Sequence, residues 1–246
     1  MISKVTQHIK NRAIDKERIK NQQDFLISNY GVQTNIDILR KFIPYARLFD
    51  LLKIKTDSIL DLGCGFGTLT RCLSLISNET EALDHFEEAL NFARENNKFL
   101  TNIKYTCADI YEYQLKKNKY DLVFASEFHP FTRNYYNNNE GKKEKYHEKI
   151  MTNIYHSLKD NGHLIISHNP TIKQTIKIKS HLINKFNIRI YEIDERIIYL
   201  FDSFFRMFKS EKLYFNGLKL FTLIRKLLFQ LNITKGYKPI YILQKK

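Results

Sequence analysis

Cysteine is scarce in this 246-residue chain, which has only Cys64, Cys72 and Cys107. They show neither paired metal-ligand spacing nor a disulfide framework, and so point to a reducing cytoplasm. Long apolar runs are missing too. Nothing approaches the roughly eighteen residues that a spanning helix needs, and residues 1–10 are polar and basic with no apolar centre, which excludes an ordinary signal peptide. No internal repeat and no clear linker breaks the chain, so one domain with helical additions is the economical organisation. The length is ample for a sizeable core. Acidic residues are in the minority, 26 Asp and Glu against 40 Lys and Arg, a net charge of +14. A basic surface would attract nucleic acid, anionic lipid or phosphorylated small molecules. The basic residues are spread along the chain, however, which fits a general compositional habit better than a dedicated patch.

What is present is organised around residues 58–70, Ser-Ile-Leu-Asp-Leu-Gly-Cys-Gly-Phe-Gly-Thr-Leu-Thr. Ile59, Leu60 and Leu62 suit a short buried strand, Gly63, Gly65 and Gly67 break it, and residues 68–76 start a helix. Strand, glycine turn and helix bring bare backbone close to a ligand at the carboxyl edge of an α/β sheet. Glycine serves such a turn because it adopts φ values that a Cβ penalises and leaves the ligand's space clear.

The rest of the chain alternates. Residues 1–25 read as an exposed helix or arm, and residues 35–53 as a packed helical stretch bent near Pro44. Further strands are predicted at 81–84, 102–108, 120–126, 163–167, 187–193 and 237–244. Helices are predicted at 87–96, 142–158 and 171–186, with a glycine-stopped turn at 159–162. Residues 198–231, dense in Phe, Leu, Tyr and Lys, predict two or three helices. This rhythm gives an α/β fold, a mostly parallel seven-stranded sheet with helices on both faces.

The glycine spacing is not the dinucleotide fingerprint, whose third glycine lies one position later. Asp61-Leu62-Gly63-Cys64-Gly65-Phe66-Gly67 instead resembles the first motif of class I S-adenosylmethionine-dependent methyltransferases, a Rossmann-like family, and the resemblance covers residues 35–167 and the last strand. It implies a helical lead-in over residues 1–53, a cofactor-binding core over 54–194, a helical insertion over 195–236 and a final strand over 237–246. It also implies S-adenosylmethionine as cofactor. Asp84 then holds the two ribose hydroxyls, as a charge-assisted bidentate acceptor. His85 and Phe86 cover one face of the adenine. Asp109 accepts from the adenine amino group, and the backbone N–H of Ile110 donates to the ring. Gly63, Cys64, Gly65, Gly67 and Ser126 complete the cofactor contacts. Asp61 either helps hold the methionine amino group or serves a structural bond to the glycine loop. Read without the family, Asp84 and Asp109 are ordinary helix caps. Cys64 has no base partner in the sequence and is backbone filler rather than a nucleophile.

The acceptor side is expected to lie beyond the fourth strand, in Ser126-Glu127-Phe128-His129-Pro130-Phe131. His129 titrates near neutrality and suits a general base oriented by Glu127; the plainer reading has it bonding loop backbone beside Pro130. His168, with Glu127, loosely resembles the magnesium site of catechol-type methyltransferases, but imidazole is a poor ligand for a hard ion, so no metal is expected. No Asn/Asp-Pro-Pro-Tyr tetrapeptide follows the fourth strand, which tilts the target from amino groups of DNA and protein towards an oxygen or a ring-borne group on a small molecule. Arg133, Tyr135 and Tyr136 either grip an anionic acceptor or decorate a polar loop. Residues 217–231 are amphipathic, with Leu220, Phe221, Ile224, Leu227, Leu228 and Leu231 on one side and Lys219, Thr222, Lys226 and Gln230 on the other. A lid or substrate wall is favoured there over a homodimer contact or a membrane surface. The sequence thus predicts a cytoplasmic O-methyltransferase of an anionic, sugar- or phosphate-containing small molecule. An RNA methyltransferase and a non-catalytic cofactor-fold binding protein are the alternatives.

Overall fold

The computed structural model describes residue 42 and residues 45–128, 140–167, 188–194, 197–198, 211–231 and 239–246. The chain divides into two compact units, Met1–Lys53 and Ile54–Lys246. In the first, residues 45–51 are helical with Tyr45, Ala46, Leu48 and Phe49 buried, and the rings of Phe42 and Phe49 meet edge to face at 6.3 Å. The bend expected at Pro44 and the arm over residues 1–25 lie outside the described residues.

The second unit is built on a seven-stranded sheet in the order β3-β2-β1-β4-β5-β7-β6. Its strands are β1 (Ser58–Leu62), β2 (Glu79–Asp84), β3 (Ile103–Cys107), β4 (Tyr120–Ser126), β5 (Leu158–Ser167), β6 (Ile188–Asp194) and β7 (Pro239–Lys245). The described helices are α1 (Thr68–Ser74), α2 (Glu87–Asn96), α3 (Glu140–Ser157) and α4 (Glu211–Gln230). β1 to β5 pair in parallel, and β7 enters antiparallel between β5 and β6. All five residues of β1 are buried, as expected of a parallel strand covered on both faces. One face carries Leu60, Leu62, Val123, Ala125, Leu164 and Ile166 in a core that takes in Ile150, Met151 and Ile154 of α3. The helix predicted at 171–186 lies outside the described residues. Among the described residues no helix is long and apolar enough to cross a membrane.

Chain direction fixes where a ligand site belongs. From β1 the chain runs outward to β2 and β3, then returns to the other side of β1 as β4. The crossovers therefore leave in opposite senses from β1 and β4, and the crevice at the carboxyl ends of these strands is the topological switch point.

Two departures from the sequence reading have clear causes. β2 begins at Glu79, not Glu81, because Glu81 is buried inside the strand and neutralised there. Its carboxylate accepts from Lys119 Nζ at 2.5 Å and Tyr120 Oη at 2.8 Å, with Lys104 Nζ at 3.4 Å. The predicted turn at 159–162 lies within β5, as an excursion between the pairs Tyr120↔Leu158 and Leu122↔His163. Asn161 takes a φ of +61° there, and a Cβ on Gly162 would come 2.7 Å from the Lys159 carbonyl oxygen. The glycine signal was real, but it marks a bulge inside the strand rather than a helix stop.

Burial pushes the Glu81 carboxyl up, but the bonds from Lys119 and Tyr120 and the nearby Lys104 outweigh it and hold the group below its ordinary range. Stability from this group is therefore present above the ordinary glutamate value and lost as pH falls through the lower folded value. Glu81→Gln, which leaves Lys119 without its counter-charge, is expected to cost about 3 kcal/mol in urea unfolding at neutral pH. The variant should also lose less of its remaining stability than the native chain on acidification; an unchanged midpoint would remove the ion pair from the list of determinants.

Candidate functional site

The turn after β1 is held by backbone bonds to β2. The amides of Gly63 and Cys64 donate to the Leu83 carbonyl at 2.8 and 3.2 Å, and the Gly67 amide closes the turn on the Cys64 carbonyl at 3.0 Å. Gly63, Gly65 and Gly67 all have positive φ, +74°, +50° and +71°. Their spatial roles differ. A Cβ on Gly67 would meet Ala93 at 2.7 Å, so this glycine admits α2, and a Cβ on Gly63 would meet the Phe128 ring at 2.6 Å. Only at Gly65, of the three, would a Cβ meet nothing within 4 Å. The sequence reading gave all three glycines to a ligand's approach. A side chain at Gly65 would meet open space, whereas at Gly63 and Gly67 it would meet the chain's own Phe128 and Ala93.

One carboxylate is bonded at this open position. The Gly65 amide donates to Asp84 Oδ2 at 2.8 Å, and the other oxygen of Asp84 accepts the Phe86 amide at 3.1 Å, with His85 Nδ1 3.3 Å away. Phe86 is the N-cap residue of α2, and Asp84 bonds the amide of that residue without capping the first turn of the helix. A carboxylate has about four acceptor positions, so these bonds leave capacity for a ligand. Asp61 is buried in β1 and accepts from Thr70 Oγ1 at 2.5 Å. Burial raises its pKa from 3.8 to about 7; the Thr70 bond opposes the rise and the nearby Asp84 charge adds to it. Burial, Asp61 and Asp84 likewise push the Cys64 thiol far above its ordinary range, the reverse of what a nucleophile needs.

Asp109 stands just past β3 and is exposed, while Ile110 beside it is buried in the core. Asp109 Oδ1 accepts the Tyr111 amide at 2.9 Å, and its carbonyl accepts the Tyr113 amide at 2.8 Å. This is a local cap.

At the end of β4, Ser126 pairs with Ser167 of β5. The next residue, Glu127, donates its amide to the Ser167 carbonyl at 2.6 Å and takes a φ of +51°. Such a backbone in a non-glycine residue costs on the order of 1 kcal/mol or more and tends to collect at functional sites. The reversal turns Phe128 inward against Gly63, where it joins the core cluster. Thus the strand expected to serve the acceptor is packed onto the glycine turn. Sequence reasoning missed Phe128 and Thr70. Phe128 sat between two singled-out residues as an unremarked hydrophobe, and Thr70 lies on the first turns of α1 without any motif of its own. His129, Arg133, Tyr135, Tyr136 and His168 lie outside the described residues. Among the described residues no group of three or more His, Cys, Asp or Glu is placed to hold a metal ion.

A family model described as a methyltransferase domain matches residues 53–198. No curated protein matches the sequence. Among solved structures, the chain resembles the N-methyltransferase NodS from Bradyrhizobium japonicum WM9 in complex with S-adenosyl-L-homocysteine. The TM-score is 0.52 at 13% identity, over 98% of each chain. It resembles a SAM-dependent methyltransferase from Leishmania major, with a TM-score of 0.54 at 13% identity over 86% of this chain and 74% of that one. It also resembles phosphoethanolamine N-methyltransferase 2 from Haemonchus contortus, in complex with phosphomonomethylethanolamine and S-adenosylhomocysteine. There the TM-score is 0.51 at 17% identity, over 91% of this chain and 60% of that one. At these identities the likeness is one of fold.

The Gly63–Phe128 contact is testable by a double-mutant cycle. Gly63→Ala combines a positive-φ penalty with a clash and should cost about 2–4 kcal/mol in urea unfolding. In a Phe128→Ala background the same substitution should cost about 1–2 kcal/mol less, because only the backbone strain remains. Strictly additive costs would show that the ring does not constrain the turn.

Proposed function

We propose that this chain, which belongs to the methyltransferase-domain family and uses S-adenosylmethionine as its methyl donor, transfers the methyl group to an oxygen of a small anionic or sugar- or phosphate-containing acceptor. The observation that carries the cofactor side is the Asp84 carboxylate bonded to the amide of Gly65, the open glycine of the turn at the switch point, with the buried Asp61 near enough for the Asp84 charge to act on it. The residues fit such a cofactor: a bare amide turn gives access, and the two acids suit a cationic amine and a pair of hydroxyls. In this reading Asp84 accepts from the ribose hydroxyls and Asp61 faces the methionine amino group. His85 and Phe86 lie along the adenine, and Asp109 and the Ile110 amide read its edge. Gly63, Cys64, Gly67 and Ser126 shape the wall around them.

A methyl group on a sulfonium is already activated for transfer, so the chain has to align the acceptor and take its proton. His129 is the proposed base, with Glu127 orienting it and Arg133, Tyr135 and Tyr136 meeting an anionic group. The strained backbone at Glu127 supports a functional role for this turn. A small phosphorylated acceptor has a parallel in the phosphomonomethylethanolamine bound by the Haemonchus contortus protein, although that protein is named an N-methyltransferase. The net charge of +14 favours RNA as a second acceptor class, and steep loss of RNA binding with salt would identify it.

Calorimetry with S-adenosylhomocysteine tests the cofactor reading. Asp84→Ala should weaken binding about 100-fold or more, the loss of two charge-assisted bonds. The pH dependence follows from Asp61. A carboxyl raised to about 7 favours the unliganded fold at low pH and loses that contribution as pH rises through 7. A bound ammonium group favours the ionised form, so affinity should rise between pH 5.5 and 7.5, with a proton released on binding. Asp61→Asn should flatten that profile; binding that ignores both substitutions would overturn the reading.

The base is tested separately, by turnover against a panel of hydroxyl-bearing phosphorylated acceptors. His129→Ala should lower turnover about 100-fold or more and leave cofactor affinity within about threefold. Unchanged turnover rejects the base, and methylation of amines alone rejects the oxygen acceptor.

A further inference from the structure

Helix α4 is docked with its polar side inward. Leu218 and Thr222 are buried, while Leu213, Leu220, Phe221, Leu223, Ile224, Leu227 and Leu231 are all between 42% and 68% exposed. The inner side is anchored to β6 by polar contacts. Thr222 Oγ1 accepts the Asp194 amide at 3.0 Å, Arg225 Nε donates to Asp194 Oδ2 at 3.0 Å, and Lys226 Nζ reaches both Glu192 oxygens at 3.2 Å. The Lys219 ammonium lies 5.0 Å from the centre of the Tyr191 ring. The apolar side therefore faces away from β6.

The outward positions 213, 220, 224, 227 and 231 recur at helical spacing and form one stripe. The helix is about 30 Å long at 1.5 Å per residue, and its apolar surface is on the order of several hundred Å², the size that marks an interaction site on a soluble protein. Charge decides what it meets. Glu211 is the last acidic residue of the sequence; residues 212–246 contain eight Lys and Arg and no Asp or Glu. Two copies facing each other through this helix would bring two such segments together, and like charges disfavour that pairing. An anionic lipid surface satisfies both features: it takes the leucine-rich side among its acyl chains and attracts the basic chain, whose net charge is +14, while Arg225 and Lys226 stay paired on β6.

We infer that α4 is a membrane-surface helix, which lies flat on anionic lipid with its Leu213–Leu231 stripe inserted and β6 holding its polar side. The chain has no tryptophan, so Leu220→Trp provides a unique fluorescent reporter on that stripe. The full chain should float with vesicles of equal parts phosphatidylglycerol and phosphatidylcholine and not with phosphatidylcholine alone, and the tryptophan emission should shift to the blue only with the former. The triple substitution Leu220→Glu, Ile224→Glu and Leu227→Glu should weaken vesicle binding about tenfold or more. Its circular dichroism and melting temperature should stay native, since all three positions are exposed. No flotation of the native chain overturns the inference, as does flotation with no blue shift or full binding by the triple variant, either of which would mean attraction by charge alone. A native dimer in light scattering that the triple variant dissolves would also overturn it, by assigning the stripe to a second copy.

Discussion

The hydrogen bond from the Gly65 amide to Asp84 ties together the two parts on which this site depends. It joins the turn after β1 to the end of β2, and so sets where the open face of the turn points. Because the acceptor is a carboxylate largely out of water, the bond is stronger than a neutral one and its charge is felt nearby. Asp61, on the neighbouring strand, has its pKa raised chiefly by its own burial, and the Asp84 charge adds to the rise. Burying Asp61 in β1 is costly, and the charge of Asp84 at the end of β2 adds to that cost.

The cofactor side of the protein was legible because its chemistry is written in residue types. A glycine turn cannot be made from other residues without strain, and strand-terminal acids stand out against Ile, Leu and Val. β4 and α2 appear in the structure where their residues place them, at Tyr120–Ser126 and Glu87–Asn96. Other features had no such signature. Glu79 and Thr80 at the start of β2 carried no strand signal, and the residues that hold the buried Glu81 beside them, Lys119 and Tyr120, lie 38 and 39 positions away in the sequence. The left-handed backbone at Glu127 left no trace either, because a non-glycine residue in that region is fixed by its surroundings. Phe128 owes its role to that turn.

Helix α4 shows a different limit. Amphipathic spacing establishes that a helix has two unlike sides, and it leaves open which of them meets the protein. Here Asp194 and Glu192 on β6 decide the matter, because buried acids need the cations that only the polar side carries. A sheet edge with apolar residues at those positions would have turned the same helix over.

The position of β7 also bears on how the fold is reached in time. Among the described residues β6 joins the sheet solely through β7, which starts 51 residues further along the chain. During synthesis the parallel pairs among β1 to β5 can all form before β7 emerges, with one edge of β5 still waiting for β7. β6 has no strand partner until then, so β6 and the α4 docked on it must wait for β7 while the rest of the domain is already shaped. Assembly of this half is therefore a late, long-range event, and the interval before β7 arrives is when the chain is most exposed to aggregation.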